Sequence, residues 1–239
     1  MNKKEIKDIA KKVWYFIWES DSTLSWIVNI ILAFLIIKFI VYPALGFMLQ
    51  TSHPIVAVVS GSMEHKTVPA YVEIPFDRNP SDNNIRYSIC GNNFESNQKA
   101  GFDFFWKYCG NYYENIDITK EQFRTFKFSN GFNTGDIIIL RGSKYEDIKV
   151  GDIIVYFSPV KSDPIIHRVT KKTYNNSYFF QTKGDHNEIS YPFEYSVNEK
   201  EIIGKAWIRV PYLGWIKIGF VKLLEVTRII DLFQWIGGR

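Results

Sequence analysis

The sequence predicts a mainly β domain that is anchored by one N-terminal transmembrane helix and carries an inserted irregular subdomain and a C-terminal amphipathic helix. Three features support this fold class. One long apolar segment lies near the N-terminus, short β-branched or aromatic runs dominate from residue 53 onward, and an Asn- and aromatic-rich stretch interrupts these runs. The chain has 239 residues, of which 46% are hydrophobic, so it is long enough for one main domain with appendages.

The N-terminal part divides into an amphipathic segment, residues 1–22, and a transmembrane helix, residues 23–50. In the first segment, apolar residues recur at helical spacing among five lysines, which is typical of a helix on a membrane surface or of one packed on a domain. The 26 residues from Leu24 to Leu49 would span about 39 Å as a helix, and Lys38 is their only charge. A buried core helix and a cleaved signal peptide are the alternatives, although a signal peptide has a shorter apolar region.

The β domain is predicted from residues 51–65 and 134–212, with residues 66–133 inserted between them. The predicted strands are residues 55–60, 71–75, 137–140, 153–157, 165–169, 178–182 and 202–210. The insertion is rich in Asn and aromatic residues and shows weak periodicity. It holds both cysteines, Cys90 and Cys109, which predict a disulfide if the domain lies outside the membrane; two buried free thiols are the alternative.

Residues 213–239 are apolar but carry frequent charges. Lysine, glutamate, arginine and aspartate recur from Lys217 to Asp231, too often for a segment that spans a bilayer comfortably. The sequence therefore predicts an interfacial or domain-packed helix here, with a second membrane crossing as the alternative.

Two serines flank a glycine at Ser60-Gly61-Ser62, where the first apolar strand run ends. Gly and Ser are ordinary residues at a junction between strand and turn, so this triplet alone indicates no chemistry. A serine nucleophile needs an adjacent base, and an imidazole base works best when a carboxylate fixes its tautomer.

A histidine and a carboxylate come together across a predicted hairpin. Two strand runs flank "YNNSY", residues 174–178, so residue 167 pairs with residue 184 across a two-residue turn or with residue 185 across a three-residue turn. Either register brings His167 within about one position of Asp185, at a cross-strand spacing of roughly 5 Å. Because His167 shares a strand face with Ile165 and Val169, an ordinary core histidine is the alternative.

Four short motifs follow the apolar segment in order: "SGSM" (60–63), "GDIIVY" (151–156), "IIHRV" (165–169) and "TKGDHN" (182–187). In this order they resemble the type I signal peptidases. The resemblance is closer to the archaeal and endoplasmic-reticulum (Sec11-like) branch, in which a histidine replaces the bacterial catalytic lysine. "RVPYLGWI" (209–216) also resembles the end of that family's β domain, so the resemblance covers roughly residues 25–65 and 134–216.

The resemblance implies a role for each matched residue. Ser62 would be the nucleophile, His167 the general base and Asp185 the carboxylate that orients it. The Ser62 backbone N–H and the Ser60 hydroxyl would stabilise the oxyanion, with a purely structural turn role for Ser60 as the alternative. No metal and no cofactor are implied, and the sequence shows neither zinc-ligand spacing nor an H-E-x-x-H motif.

The sequence departs from the family pattern in three places. His65 stands where a proline is common, and Tyr191 stands where a second aspartate is expected. Glu188 or Glu194 replaces that second acid, or the acid is dispensable. The 66–133 insertion is longer than in a compact family member, and it either covers the substrate groove or contacts another protein such as the protein translocation channel.

Lys183 is a second candidate for the base, because bacterial relatives use a lysine and Asp185 is two residues away. A lysine base needs its pKa depressed by about three units, and a neighbouring carboxylate raises it instead. An imidazole needs little adjustment, and the same carboxylate stabilises the imidazolium. Electrostatics therefore favour His167 as the base.

The implied function is a membrane-anchored serine endopeptidase that removes signal peptides from exported preproteins. Its partners would be signal-peptide-bearing preproteins and membrane lipid, and the lysines before the apolar segment predict a cytoplasmic N-terminus and an extracytoplasmic catalytic domain at the cell membrane. The net charge of +4, without a basic patch interleaved with aromatics, argues against a nucleic-acid partner. A non-catalytic membrane-anchored scaffold and a self-cleaving repressor-type peptidase are the alternatives.

Overall fold

The computed structural model describes residues 2–71, 85–98, 101–161 and 163–226. The chain divides into two compact units, Met1–Ser52 and His53–Arg239. Residues 72–75 of one predicted strand and residues 227–239 of the predicted C-terminal helix lie outside the described residues.

The first unit is helical. It consists of α1 (Lys3–Trp18), α2 (Thr23–Ile36), a π-helical turn (Ile37–Val41) and α3 (Tyr42–Leu49). The Ser22 side chain caps α2 by accepting a hydrogen bond from the Ser25 N–H, and the Asn29 side-chain amide donates to the Ile17 carbonyl. The continuous helix Thr23–Leu49 is the one helix in the described part of the chain that is long and apolar enough to span a membrane, as the fold class predicts.

The second unit is built mainly from antiparallel strands. They are β1 (Ile55–Ala57), β2 (Val68–Tyr71), β3 (Ile85–Ile89), β4 (Asn92–Phe94), β5 (Ile137–Arg141), β6 (Ile153–Tyr156), β7 (Ile165–Tyr174), β8 (Tyr178–Lys183), β9 (Val197–Asn198) and β10 (Ile202–Val210). Seven of them form one sheet in the order β1-β5-β10-β6-β7-β8-β9, in which every neighbouring pair is antiparallel. The mainly β architecture therefore agrees with the prediction from the short strand runs.

The large sheet is covered on both faces. All four residues of β6 are buried, because Ile153 and Val155 pack into one apolar cluster while Ile154 and Tyr156 pack into another. Short 3₁₀ turns at Tyr145–Asp147, Pro192–Glu194 and Glu199–Glu201 connect the strands.

The insertion contains more regular structure than the weak periodicity of its sequence suggests. Strands β2, β3 and β4 form a separate three-stranded sheet, and the helices α4 (Phe102–Glu114) and α5 (Lys120–Thr125) follow. Phe105, Trp106, Cys109 and Tyr113 recur on one face of α4 and are buried in a core of the insertion's own. The same core holds the disulfide between Cys90 and Cys109, whose Cα atoms are 5.5 Å apart.

The last element among the described residues is α6 (Gly214–Val226). Trp215 from its first turn lies against Gly135, and a Cβ atom at that glycine would come within 2.1 Å of the indole nitrogen. Gly135 also has a φ of 88°, a left-handed conformation that favours glycine.

Candidate active site

Ser62 lies in the turn that follows β1, and its neighbours anchor it on both sides. Met63 is buried in the apolar cluster of the large sheet, and its carbonyl accepts a hydrogen bond from the Phe132 N–H. The Ser62 carbonyl accepts a hydrogen bond of 2.8 Å from the His186 N–H. The Ser60 hydroxyl lies 3.3 Å from the Ser62 hydroxyl, so both serines of the motif face the same point.

A hydrogen-bonded chain leads from Ser62 to a buried carboxylate. The Ser62 hydroxyl lies 3.0 Å from Nε2 of His167, and Nδ1 of the same ring is hydrogen-bonded to Oε1 of Glu194. Glu194 is fully buried, and its second oxygen accepts the Tyr191 N–H. Serine, imidazole and carboxylate therefore have the mutual geometry of a nucleophile, its base and the group that orients the base.

Asp185, which the sequence predicts as the carboxylate that orients His167, faces a different set of side chains. A three-residue turn connects β7 to β8. Farther from this turn, a bulge between Val169 and Lys171 shifts the pairing register by one residue. Arg168 then pairs with Lys183. Because side chains alternate along a strand, Asp185 falls on the face of Lys183 and Arg168 and away from His167.

The shifted register also brings a glycine against the base. A Cβ atom at Gly184 would lie 2.8 Å from Nε2 of His167 and 2.8 Å from the Ser62 carbonyl. A side chain at this position would therefore collide with both the base and the nucleophile's backbone.

Asp185 is the centre of a buried polar cluster. The Arg168 guanidinium donates to both of its oxygens, at 2.8 and 2.6 Å, and both side chains are fully buried. Nε2 of His65 lies 2.9 Å from Oδ2, and the Tyr113 hydroxyl donates to Oδ1 at 2.8 Å. The Asp185 carboxylate is therefore hydrogen-bonded to Arg168, His65 and Tyr113, whereas Nδ1 of His167 is hydrogen-bonded to Glu194.

The cluster shifts the protonation of its members. Burial by itself would raise the pKa of Asp185, but the Arg168 charge and the hydrogen bonds from His65 and Arg168 outweigh it and hold this pKa well below its usual range. Burial lowers the pKa of His65, and the nearby Asp185 opposes this only in part. Burial likewise lowers the pKa of His186, whose Nδ1 lies 3.1 Å from the Glu64 carbonyl.

Lys183, the second candidate for the base, is fully buried, and its ammonium is directed elsewhere. Burial lowers the pKa of Lys183 to about 8, although the charges of Asp185 and Glu194 oppose the shift. Nζ donates to the carbonyls of Gly184 and Asp185 at 3.0 and 3.3 Å. The Ser62 hydroxyl is hydrogen-bonded to His167, whereas the Lys183 ammonium is hydrogen-bonded to these two carbonyls.

A groove of about 370 Å³ opens beside the Ser62–His167 pair. Residues 56–60 and 164–167 line the groove, together with Tyr191 and Phe193, whose rings are stacked with centres 5.6 Å apart. In the described part of the structure, strand β1 is an edge strand of the large sheet, and an edge strand can pair with another extended chain.

The sequence alone does not single out three side chains of the site, Glu194, Arg168 and Tyr113. It left Glu194 and Glu188 open as replacement acids, although "YPFE" carries a turn signal: Pro192 follows Tyr191, and the Glu194 side chain caps the Tyr191 N–H three residues back. Arg168 and Tyr113 gave no signal, because their partner Asp185 is distant along the chain. In the described part of the structure, no group of three or more His, Cys, Asp or Glu side chains is arranged to hold a metal ion.

Acid should destabilise the folded domain through its buried histidines. Because His65 and His186 have lowered pKa values, the unfolded chain takes up protons below about pH 6.5 that the folded chain does not. The free energy of unfolding should therefore fall with pH there, by up to about 1.4 kcal/mol per pH unit for each histidine. The Asp185 shift acts in the same direction at lower pH, since its stabilisation is lost as pH falls below 3.8.

Urea unfolding of the full chain between pH 7.5 and 5 measures this effect. The His65→Gln variant is the control, because glutamine can still donate to Asp185 but does not titrate. Its unfolding free energy should depend less steeply on pH than that of the wild type, and identical slopes would contradict the assignment of His65 as a neutral buried group.

Comparison with known proteins finds similar sequences among signal peptidase catalytic subunits. No family model matches the chain. The chain is 32% identical over 94 residues to the signal peptidase complex catalytic subunit SEC11C of Homo sapiens, and 36% identical over 94 and 95 residues to the catalytic subunits SEC11 of Candida tropicalis and Zygosaccharomyces rouxii. These matches cover 36% of this chain, 49% of the human protein and 56% of each yeast protein, so the chain spans about half the length of these curated relatives. The chain is thus a relative of the Sec11-like type I signal peptidases.

Proposed function

We propose that this protein is a membrane-anchored serine endopeptidase that removes signal peptides from exported preproteins, with Ser62 as its nucleophile. The observation that carries the proposal is the hydrogen-bonded chain from the Ser62 hydroxyl through His167 to Glu194. The similarity to signal peptidase catalytic subunits supports the substrate class.

The reaction is acyl transfer. The Ser62 hydroxyl attacks the peptide carbonyl while Nε2 of His167 takes its proton, and the imidazolium returns that proton to the leaving amine. Water then hydrolyses the acyl-enzyme, with His167 acting again as the base. The Ser62 N–H and the Ser60 hydroxyl stabilise the oxyanion, and the position of the Ser60 hydroxyl 3.3 Å from the Ser62 hydroxyl supports this role.

In the proposed mechanism, Glu194 and Asp185 share the role that the sequence predicts for Asp185 alone. Glu194 holds Nδ1 of His167, fixes the tautomer that accepts a proton at Nε2, and stabilises the imidazolium. Asp185 holds Arg168, His65 and Tyr113 together behind the nucleophile. Asp185 is therefore a positioning residue in this mechanism, and Glu194 is the member of the triad.

The substrate binds as an extended strand in the groove between residues 56–60 and 164–167. Pairing along the free edge of β1 presents the peptide backbone to Ser62, while shallow pockets select small side chains before the cleaved bond, as the family resemblance implies. The helix Thr23–Leu49 anchors the enzyme in the membrane that holds the substrate, which confines the search for substrate to the bilayer plane.

The proposed topology is a single pass through the cell membrane with a cytoplasmic N-terminus. Helix α1 carries five lysines and exposes an apolar stripe that includes Ile9, Val13 and Trp14, which suits a helix on the inner membrane surface. Helix α6 exposes Trp215, Ile216 and Phe220, and it is proposed to lie at the outer interface.

A fluorophosphonate probe tests the proposal directly. In the full chain in detergent micelles, the probe should form an adduct that peptide mapping locates on Ser62, and a signal-peptide-bearing preprotein should slow the labelling while it is cleaved. The Ser62→Ala variant is the blank, and Ser177→Ala, in the β7–β8 turn, is the matched serine control that should be labelled like the wild type.

Two other outcomes would point to the alternatives. Absence of both an adduct and cleavage in the folded wild type would indicate a non-catalytic scaffold. Cleavage of the chain itself, without cleavage of an added preprotein, would indicate a self-cleaving peptidase of the repressor type.

A further inference from the structure

The insertion contacts the loop that supports the nucleophile. Cys90 and Gly91 form the two-residue turn between β3 and β4, with φ angles of 46° and 77°. The Cys90 N–H donates a hydrogen bond of 2.9 Å to the His186 carbonyl. The Glu188 carboxylate lies so close to Gly91 that a Cβ atom there would come within 2.7 Å of it. The turn therefore rests on residues 183–188, called here the anchor loop.

The anchor loop in turn holds the backbone of Ser62. The His186 N–H donates to the Ser62 carbonyl at 2.8 Å, and the His186 ring contacts the Glu64 carbonyl. The backbone of one residue, His186, thus accepts a hydrogen bond from the insertion through its carbonyl and donates one to the nucleophile's residue through its N–H. Displacing the turn of the insertion would move a group that is directly bonded to Ser62.

Helix α4 supports the same loop from a second direction. The Tyr113 hydroxyl donates to Asp185, and the Lys183 ammonium lies 4.8 and 5.3 Å from the centres of the Tyr112 and Tyr113 rings. The Tyr112 hydroxyl also lies 3.1 Å from the Ser190 hydroxyl, in the segment that leads from the anchor loop to Glu194. Helix α4 therefore contacts both the anchor loop and the segment that leads from it to Glu194.

Two further contacts connect the β3–β4 turn, helix α4 and the residues around Ser62. The disulfide joins Cys90 in the turn to Cys109 in α4, so the turn and the helix are held as one body. His65, three residues after the nucleophile, stacks on Phe105 of α4 with ring centres 3.6 Å apart while it holds Asp185. His65 is one of the positions where the sequence departs from its family's pattern, and its partners lie in the insertion and the anchor loop.

We infer that the disulfide-closed insertion is a positioning element for the nucleophile, and that Tyr113 is a positioning residue that acts through Asp185 and the anchor loop. This inference rests on the proposed function. It explains why buried aromatic and hydrogen-bonding groups of the insertion contact the anchor loop. An insertion that only covered the groove or bound another protein would not require these contacts.

Kinetics and hydrogen exchange on the full chain in detergent micelles test the inference. One variant is Tyr113→Phe, which removes one hydrogen bond to Asp185. The other is the double change Cys90→Ala with Cys109→Ala, which removes the disulfide without leaving a free thiol. The matched control is Tyr108→Phe, because Tyr108 lies on the same helix and packs its ring on Phe94 and Phe104.

Both test variants should lower kcat about tenfold with KM within about twofold, because a displaced nucleophile affects the chemical step more than substrate binding. In the same variants, amide exchange at His186 should rise about tenfold, while the amides of β5 and β10 keep their protection. Tyr108→Phe should match the wild type in both measurements.

Other results would overturn the inference. They are wild-type kcat and exchange in both variants, a change confined to KM, a fall in kcat without faster exchange at His186, or faster exchange throughout β5 and β10, which would indicate general destabilisation. If the wild type itself cleaves no preprotein, the proposed function fails, whereas the exchange measurement still decides whether the insertion holds the anchor loop.

Discussion

Replacing Glu194 by glutamine is expected to lower kcat for preprotein cleavage by about 10³- to 10⁴-fold while the fold stays intact. Glutamine has the size of glutamate and can still accept the Tyr191 N–H that now bonds to Oε2. Its amide cannot stabilise an imidazolium, and an amide nitrogen turned toward Nδ1 of His167 favours the wrong tautomer for proton acceptance at Nε2. The loss should therefore appear in kcat and leave KM nearly unchanged.

The matched control for this change is Glu188→Gln. Glu188 is the other acid that the sequence leaves open as a replacement, and it is exposed and six residues earlier in the chain. Its variant should keep kcat within about twofold of the wild type, because glutamine keeps the size of the side chain that lies against Gly91 and the Glu188 carboxylate does not touch the base. Equal turnover in the wild type and in Glu194→Gln, both folded, would remove Glu194 from the mechanism.

The Asp185→Asn variant is expected to lose about 3–5 kcal/mol of unfolding free energy, because it leaves the buried Arg168 guanidinium without its counter-charge. Arg168 donates its remaining hydrogen bonds to backbone carbonyls of Gly151, Lys127 and Phe128, none of which can replace a carboxylate charge. Urea unfolding at pH 7.5 measures the loss, and the same buffer keeps Asp185 of the wild type ionised, since its pKa is far below that pH.

Asp152→Asn is the control for this prediction. Asp152 also pairs with a cation, Lys205 at 3.1 Å, but both side chains are partly exposed, with relative exposures of 21% and 32%. Because solvent screens such a pair, the variant should lose no more than about 1 kcal/mol. A similar small loss in Asp185→Asn would mean that the Asp185 cluster does not stabilise the fold in this way.

Several features of this protein could be predicted from the sequence because they depend on local composition and order. The apolar run Thr23–Leu49 has 27 residues and one charge. Its length and composition alone therefore predict a helix that can span a bilayer. Short β-branched runs separated by turn residues predict strands such as β5, β6 and β8. The order of the motifs around Ser62 and His167 pointed to the two residues whose side chains lie 3.0 Å apart.

The carboxylate partner of His167 was decided only by the tertiary structure. One bulge in β7 between Val169 and Lys171 shifts the pairing with β8 by a single residue, and a shift by one transfers Asp185 to the opposite face. The sequence leaves both registers open, because a two-residue turn and a three-residue turn both fit "YNNSY". The hydrogen bond between Tyr113 of helix α4 and Asp185 could not be predicted from the sequence either. The two residues are 72 positions apart, and they meet only where the two apolar cores come together.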